Sequence, residues 1–445
     1  MKNRNQLQIW RLAGPLILSN ISIALLGIVD TAVVGHLSHP YYLGAVAVSA
    51  VVFDFLYWGM GFLRMGTTGI VAQVHGRRDH DQIRSTLVHS IFIALSISLL
   101  MLIMQNPIAN AAFFLIGGSE QVLLHARIYF TWAIWGAPAV LCSMAMFGWL
   151  LGMQNAKASL YFAITINVIN IILDLIFVFG FDMEVKGVAL ASVIAQYTGL
   201  TMGIFLVRSE LRNYPGHWRY EFIMDVRRLL RMLSLNKDIF IRTICLIFVF
   251  AFFARQGALQ GDVILAANAV LLNFQALTAL GLDGFANATE ALVGKAIGAE
   301  NRLAFKQSVR GALLWSLIIA TIFTLTYWLA GDQVIGLVTS IPEVYDMAVI
   351  YLPWLIISPL LCVWCFLLDG IFIGAVRGLE MRNSMLLSTF VVFMPVWYLF
   401  RFLGNHGLWL ALLVFFVARG VSLGWYYIKI ERWEGGFVMA KQSPG

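Results

Sequence analysis

The chain has 445 residues, of which 60% are apolar and 12% are Asp, Glu, Lys or Arg, and its formal net charge is +7. Soluble domains carry roughly 25% charged residues, so these side chains cannot furnish a water-facing exterior for a chain this long. Lipid removes that requirement, and a bilayer admits only helices or closed barrels; the apolar runs here are too long for barrel strands.

A membrane span needs about 20 mainly apolar residues, and the first half supplies six, at 8–36, 42–73, 86–105, 122–152, 158–181 and 187–207. The first run is too long for a signal-peptide core and lacks a cleavage site, so it is expected to remain in the protein. It contains Pro15, a bend point because a mid-helix proline removes one backbone hydrogen bond, and Asp30, in LLGIVDTAVVG. The second holds Asp54 and Arg64, to which the sequence gives no role. The fifth carries NVINIILD, where Asn167, Asn170 and Asp174 at i, i+3 and i+7 share one stripe of an Ile- and Leu-rich helix. An ionisable group at bilayer depth costs about 2.5–3.5 kcal/mol on insertion scales, so it usually faces the protein interior and acts there. The stripe reads either as a protonatable site inside the first bundle or as a hydrogen-bonded seam between helices.

After a long polar stretch, six more spans follow at 236–258, 264–294, 308–330, 343–374, 384–403 and 407–428. Arg242 falls in the seventh, Asp283, Asn287 and Glu290 in the eighth at i, i+4 and i+7, and Asp369 in the tenth. Buried acids near a buried base suggest a paired structural network, with cargo or ion handling as the alternative; Arg242 is expected beside Asp283, Glu290 or Asp369. Cys142, Cys245, Cys362 and Cys365 all lie in apolar runs. Without loop context or a second CxxC pair they read as small core residues, and no metal site is expected.

Lys and Arg collect in alternate loops. They cluster at Lys2–Arg11, Arg77–Arg84, the central linker, Lys295–Arg310, Arg377–Arg382 and Lys429–Lys441, with few on the other side. By the positive-inside rule both termini are cytoplasmic, in a multi-pass protein of a bacterial inner membrane. The positive charge is thereby a topology signal, a better reading of it than nucleic-acid binding. The halves also match at a nearly constant shift. LGAVAV from Leu43 answers LAANAV from Leu265, VAQVHG from Val71 answers VGKAIG from Val293, and IYFTW answers IYLPW, each 222 residues on. Six spans is an even number, so the copies share one orientation, as in parallel-repeat transporters. The expected fold is an all-α polytopic membrane protein, with twelve transmembrane helices in two pseudo-symmetric six-helix lobes around a central cavity. Its parts are an N-terminal lobe (1–207), a cytoplasmic linker (208–235) and a C-terminal lobe (236–445).

HExxH, GxSxG and Walker-type loops are all lacking from the sequence. Enzymatic and ATP-driven readings therefore lack their residues, and an ion gradient remains as the energy source. At this point the motifs become familiar. VDTAVVGHL after a proline-bearing start, GWLLGMQNAK, NVINIILD and GVALASVIA resemble the multidrug and toxic compound extrusion family. LDGFANATEALVGKAIGA and LLDGIFIGAVRGLEMRN resemble its DinF-type branch. The resemblance spans essentially the whole chain and implies an antiporter that exports cytotoxic, often cationic or amphipathic compounds in exchange for protons or sodium ions. It places the acidic site of the N-terminal lobe on Asp30, with Tyr129, Asn170, Asp174 and Ser192 as partners and Pro15 as the bend. In the sodium-coupled branch an acid on the seventh helix pairs with one on the tenth. Asp369 matches the second, whereas Arg242 stands at the first, which tilts the coupling ion toward the proton.

The expected cycle has a proton from outside neutralise Asp30 and Asp174, which would titrate as a coupled pair if adjacent, and let the first helix bend at Pro15, releasing the drug outward. Coupling needs only that drug and proton prefer different states of one bundle. The expected partners are small-molecule drugs and the bilayer, with no nucleic acid, no obligate protein partner and no cofactor beyond the ion gradient. Two rival readings are a flippase of lipid-linked precursors, which would need a basic cavity, and a membrane scaffold without transport.

Overall fold

A computed structural model describes residues 2–35, 40–117 and 119–432, apart from the side chains of 2–5, 23–25, 27, 28, 30–35 and 40. Among the described residues the regular elements are helices. Ten are long and apolar enough to cross a bilayer: α2 (Tyr41–Arg77), α3 (His80–Ile103), α4 (Glu120–Gly152), α5 (Ala156–Gly180), α6 (Glu184–Arg212), α8 (Asp262–Gly298), α9 (Arg302–Val338), α10 (Pro342–Gly374), α11 (Gly378–Leu403) and α12 (Asn405–Glu431). Two further 34-residue helices, α1 (Lys2–Gly35) and α7 (Val226–Leu259), complete twelve long rods. Each begins in a basic stretch and continues into an apolar one.

Several rods are not straight, for reasons written in their sequences. In α2 the helix stops at Gly59 and resumes at Phe62, where Gly59 and Gly61 flank Met60 and weaken the turn. Within α4 a 3-10 turn at Ile134–Gly136 precedes Pro138, which brings no amide to that turn. The end of α5 relaxes into a π-helical stretch at Leu175–Gly180, and α11 contains another at Leu387–Phe393, just before Pro395. A twelve-residue helix, Gln105–Ile116, lies between α3 and α4, where no span is expected.

By its contacts the chain forms two compact units, one of Gly14–Met232 and the other of Met1–Ala13 with Leu233–Gly445. The start of α1, up to Ala13, thus packs with the second half of the chain. There Trp10 meets Phe285 and Trp315 edge-on, with ring centroids at 5.3 and 5.0 Å. Trp315 Nε1 also donates to Gln6 Oε1 over 2.9 Å.

The repeat seen in the sequence recurs in the backbone. Arg78 and Glu300 have positive φ angles of 60° and 52°, and Gln154 and Val376 of 67° and 58°, each pair 222 residues apart. Directly after the first pair, the side chains of Asp79 and Asn301 cap α3 and α9, accepting from the amides of Gln82 and Ala304 over 3.0 and 2.9 Å. The inner helices also touch at equivalent glycines. Gly148 lies against the Arg64 backbone and Gly370 against the Ala286 backbone, so close that a Cβ at either would strike a carbonyl. One turn on, Gly152 faces Thr68 and Gly374 faces Glu290 in the same way. All four cysteines are buried free thiols; Cys362 and Cys365 sit in the core with Leu355, Trp409 and Phe415.

Candidate functional site

Within the unit Gly14–Met232, five helices frame a cavity of about 240 Å³. On α2 the lining residues Ala50, Phe53, Asp54 and Tyr57 fall at i, i+3, i+4 and i+7, the spacing of one helical face. From α4 comes Tyr129, from α5 Asn170, from α6 Ser192 and Gln196, and from α1 Leu26. Asn170 Nδ2 donates to Ser192 Oγ over 3.2 Å, which joins α5 to α6 at the cavity wall. One turn earlier, Asn167 Nδ2 donates to Ser22 Oγ over 2.7 Å and joins α5 to α1. The stripe read from NVINIILD therefore carries both a helix seam, at Asn167, and a cavity residue, at Asn170.

Asp174, next on that stripe, is fully buried at the last α-helical turn before the π-helical stretch. Such π-bulges recur at functional sites because they displace a turn of side chains without ending the helix. Residue 30 lies on α1 one turn beyond Leu26, and the Asp30 side chain lies outside the described residues. Its neighbour Val29 packs with Tyr129 on a small cluster of Tyr42, Val46, Val178, Val185 and Val188. That contact sets this turn of α1 against α2, the π-helical end of α5 and the start of α6. Pro15 is in the body of α1, two residues past the point where the chain passes from one unit to the other.

The second polar centre belongs to the other unit. Arg242 forms an ion pair with Asp369, one of the acids expected beside it. The same Asp369 Oδ2 also accepts from Arg419 Nη2 over 2.7 Å. All three residues are at least nine-tenths buried, so the charges are withdrawn from lipid and water together. Arg419 also stands over the Phe415 ring at 5.5 Å. Asp283 is half-buried on α8. Glu290 is buried on α8, with its backbone at the Gly374 contact. Two guanidiniums thus converge on one carboxylate oxygen.

Sequence reasoning missed two parts of this arrangement. Asp54 was without a role, although the 50–53–54–57 stripe could have placed it on an inward face. Arg419 lies in VFFVARGVSLG, an apolar run with no acid of its own; its partner is fifty residues away, and no local pattern points to it.

Comparison with known proteins adds a further observation. A family model described as MatE matches residues 15–176 and 239–399, once in each half. The DNA damage-inducible protein F of Escherichia coli is 42% identical over 435 residues, 96% of this chain and 93% of that protein. A "Probable multidrug resistance protein NorM" of Acinetobacter baylyi is 23% identical, with 98% of this chain and 97% of that one aligned. Among solved structures, the bent form of the Vibrio cholerae MATE transporter VcmN superposes with a TM-score of 0.86 at 19% identity, covering 98% of this chain and 99% of that one. At that identity the likeness is one of fold.

Proposed function

The chain belongs to the MatE family of multidrug and toxic compound extrusion transporters, and on that premise we propose that it is a secondary-active exporter exchanging cytotoxic, cationic or amphipathic compounds for protons. The cavity in the first unit carries the proposal. It gathers Tyr129, Asn170 and Ser192 with the acid Asp54, and Asp174 lies buried one turn away. Drug-sized ligands fill pockets of roughly 300–1,000 Å³, so about 240 Å³ suits water and a proton better than cargo in this conformation. Asp30 and Asp174 are the proposed proton carriers, with Tyr129, Asn170 and Ser192 as their polar partners.

The second unit supports the proton over sodium. Asp369 is neutralised by Arg242 and Arg419, and a cation brought to it would meet two fixed positive charges. Those residues, with Asp283 and Glu290, form a structural network in this reading. The distribution of Lys and Arg supports a bacterial inner-membrane location with both termini cytoplasmic.

In the proposed cycle, protonation from outside neutralises Asp30 and Asp174, and α1 bends at Pro15. The anchor of residues 6–10 on Phe285 and Trp315 holds the first turns while the stretch beyond Gly14 moves within its own unit. The bend shrinks the drug-binding surface and releases cargo; proton loss to the inside resets the helix.

The test is substrate transport in everted membrane vesicles under an imposed proton gradient, with and without sodium, at matched protein levels. Wild type should respond to protons alone, and Asp30→Asn, which keeps shape but fixes the group neutral, should not accumulate substrate. Wild-type pH dependence in Asp30→Asn would overturn the mechanism.

A further inference from the structure

A second cavity, of about 680 Å³, opens where the start of α3, the end of α6 and the segment after α6 come together. Its wall is built around Arg84, which is buried. Arg84 donates from Nη2 to the carbonyls of Leu211 and Tyr214 over 3.2 and 2.9 Å, and from Nη1 to that of His80 over 3.3 Å. Gly216 leaves just room for that guanidinium. Arg208 and Arg212 line the same cavity one helical turn apart; both are exposed, and neither forms an ion pair among the described residues. Like charges at that spacing repel one another.

The nearby acids are already engaged. Asp81 pairs with Arg219 at 2.6 Å and accepts from the His217 amide over 2.7 Å. Glu210 is turned away to Asn155, whose Nδ2 donates to it over 2.7 Å. An exposed indole, Trp218, forms the rim, 5.8 Å from the Arg84 guanidinium carbon. We propose that this pocket binds a phosphodiester anion, the headgroup of an anionic phospholipid, between Arg208 and Arg212 with Trp218 at the interface.

Arginine forks match phosphate oxygens two at a time, tryptophan favours the headgroup level, and basic pockets at inner helix ends recruit anionic headgroups. The proposal rests on the orientation given above, which places these helix ends at the inner leaflet. Two free arginines beside two engaged acids distinguish the pocket from basic residues scattered along a cytoplasmic face.

Thermal unfolding of the full chain in nanodiscs tests it, and both disc faces are open, so the readout depends on neither orientation nor transport. Three proteins are compared: wild type, Arg208→Gln/Arg212→Gln, and the control Lys157→Gln/Arg227→Gln, which removes the same charge elsewhere. Discs of phosphatidylcholine alone are set against discs that also contain phosphatidylglycerol. Anionic lipid should raise the Tm of wild type and of the control, because a ligand that binds only the folded state stabilises it. The Arg208→Gln/Arg212→Gln protein should keep its Tm in phosphatidylcholine and lose most of the rise. Equal rises in all three proteins, or none in wild type, would overturn the site. So would a full rise from inorganic phosphate in phosphatidylcholine discs, which would make a soluble anion the ligand.

Discussion

Asp369 accepts through Oδ2 from Arg242 and from Arg419, so its substitution and theirs differ in kind. Removing one partner of a buried ion pair costs about 3–5 kcal/mol because a charge is left behind without compensation. Asp369→Asn removes the negative charge that two buried guanidiniums share and should sit at or above the top of that range. Arg242→Gln or Arg419→Gln leaves one arginine on the carboxylate and should cost less. Thermal unfolding in detergent ranks the three, and an Asp369→Asn protein melting with wild type would rule out this network as a stabilising feature. On the other side of the chain, Asp174→Asn should impair proton-driven transport less than Asp30→Asn. Asp174 shares its helix face with Asn167 and Asn170, whose bonds to Ser22 and Ser192 hold α5 in place whatever the charge at 174. Lost expression with unchanged pH dependence in the surviving protein would instead mark Asp174 as part of a seam.

Helix contacts explain why some glycines cannot vary. At Gly370 an added methyl would strike the Ala286 backbone, whereas at Gly424 it would meet open space. The two alanine substitutions should therefore differ in sign. Gly370→Ala should destabilise by about 1–3 kcal/mol or more through overpacking, while Gly424→Ala should stabilise by up to about 1 kcal/mol from helix propensity alone. Gly148→Ala should behave like Gly370→Ala, since it meets the Arg64 backbone in the equivalent place. Tm shifts of the same sign for Gly370→Ala and Gly424→Ala would refute the contact argument. The rods themselves were legible in the sequence, because lipid demands long apolar runs and loops break them. Their internal breaks were not, since Gly59–Gly61 and Pro138 interrupt runs whose composition stays apolar throughout. The helix Gln105–Ile116 escaped for the converse reason: it is too short to span.

At the scale of the whole molecule, the 222-residue repeat was legible because duplication preserves motifs, and the same shift reappears in positive-φ residues, caps and glycine contacts. What the halves do not share carries the difference in role. Asn20 stands where the repeat has Arg242, and Phe147 where it has Asp369, so the ion-paired centre of the second unit sits at positions that hold an amide and a phenyl ring in the first. Such a pairing depends on residues far apart in sequence, which no periodicity reveals. The passage of α1 between units was equally hidden, because Ala13–Pro15 reads as continuous helix. This passage permits a test in which stability and activity oppose each other. A proline inside a helix costs about 3 kcal/mol relative to alanine, so Pro15→Ala should restore a backbone hydrogen bond and raise the Tm. If the proline serves only structure, transport should be unchanged or improved in the more stable protein. If α1 must bend there, the straighter helix should slow proton-driven transport several-fold, while the pH dependence set by Asp30 and Asp174 stays as in wild type. Measuring Tm and initial transport rate on the same preparation separates the cases, and a Pro15→Ala protein that gains stability at full speed would exclude the bend from the cycle.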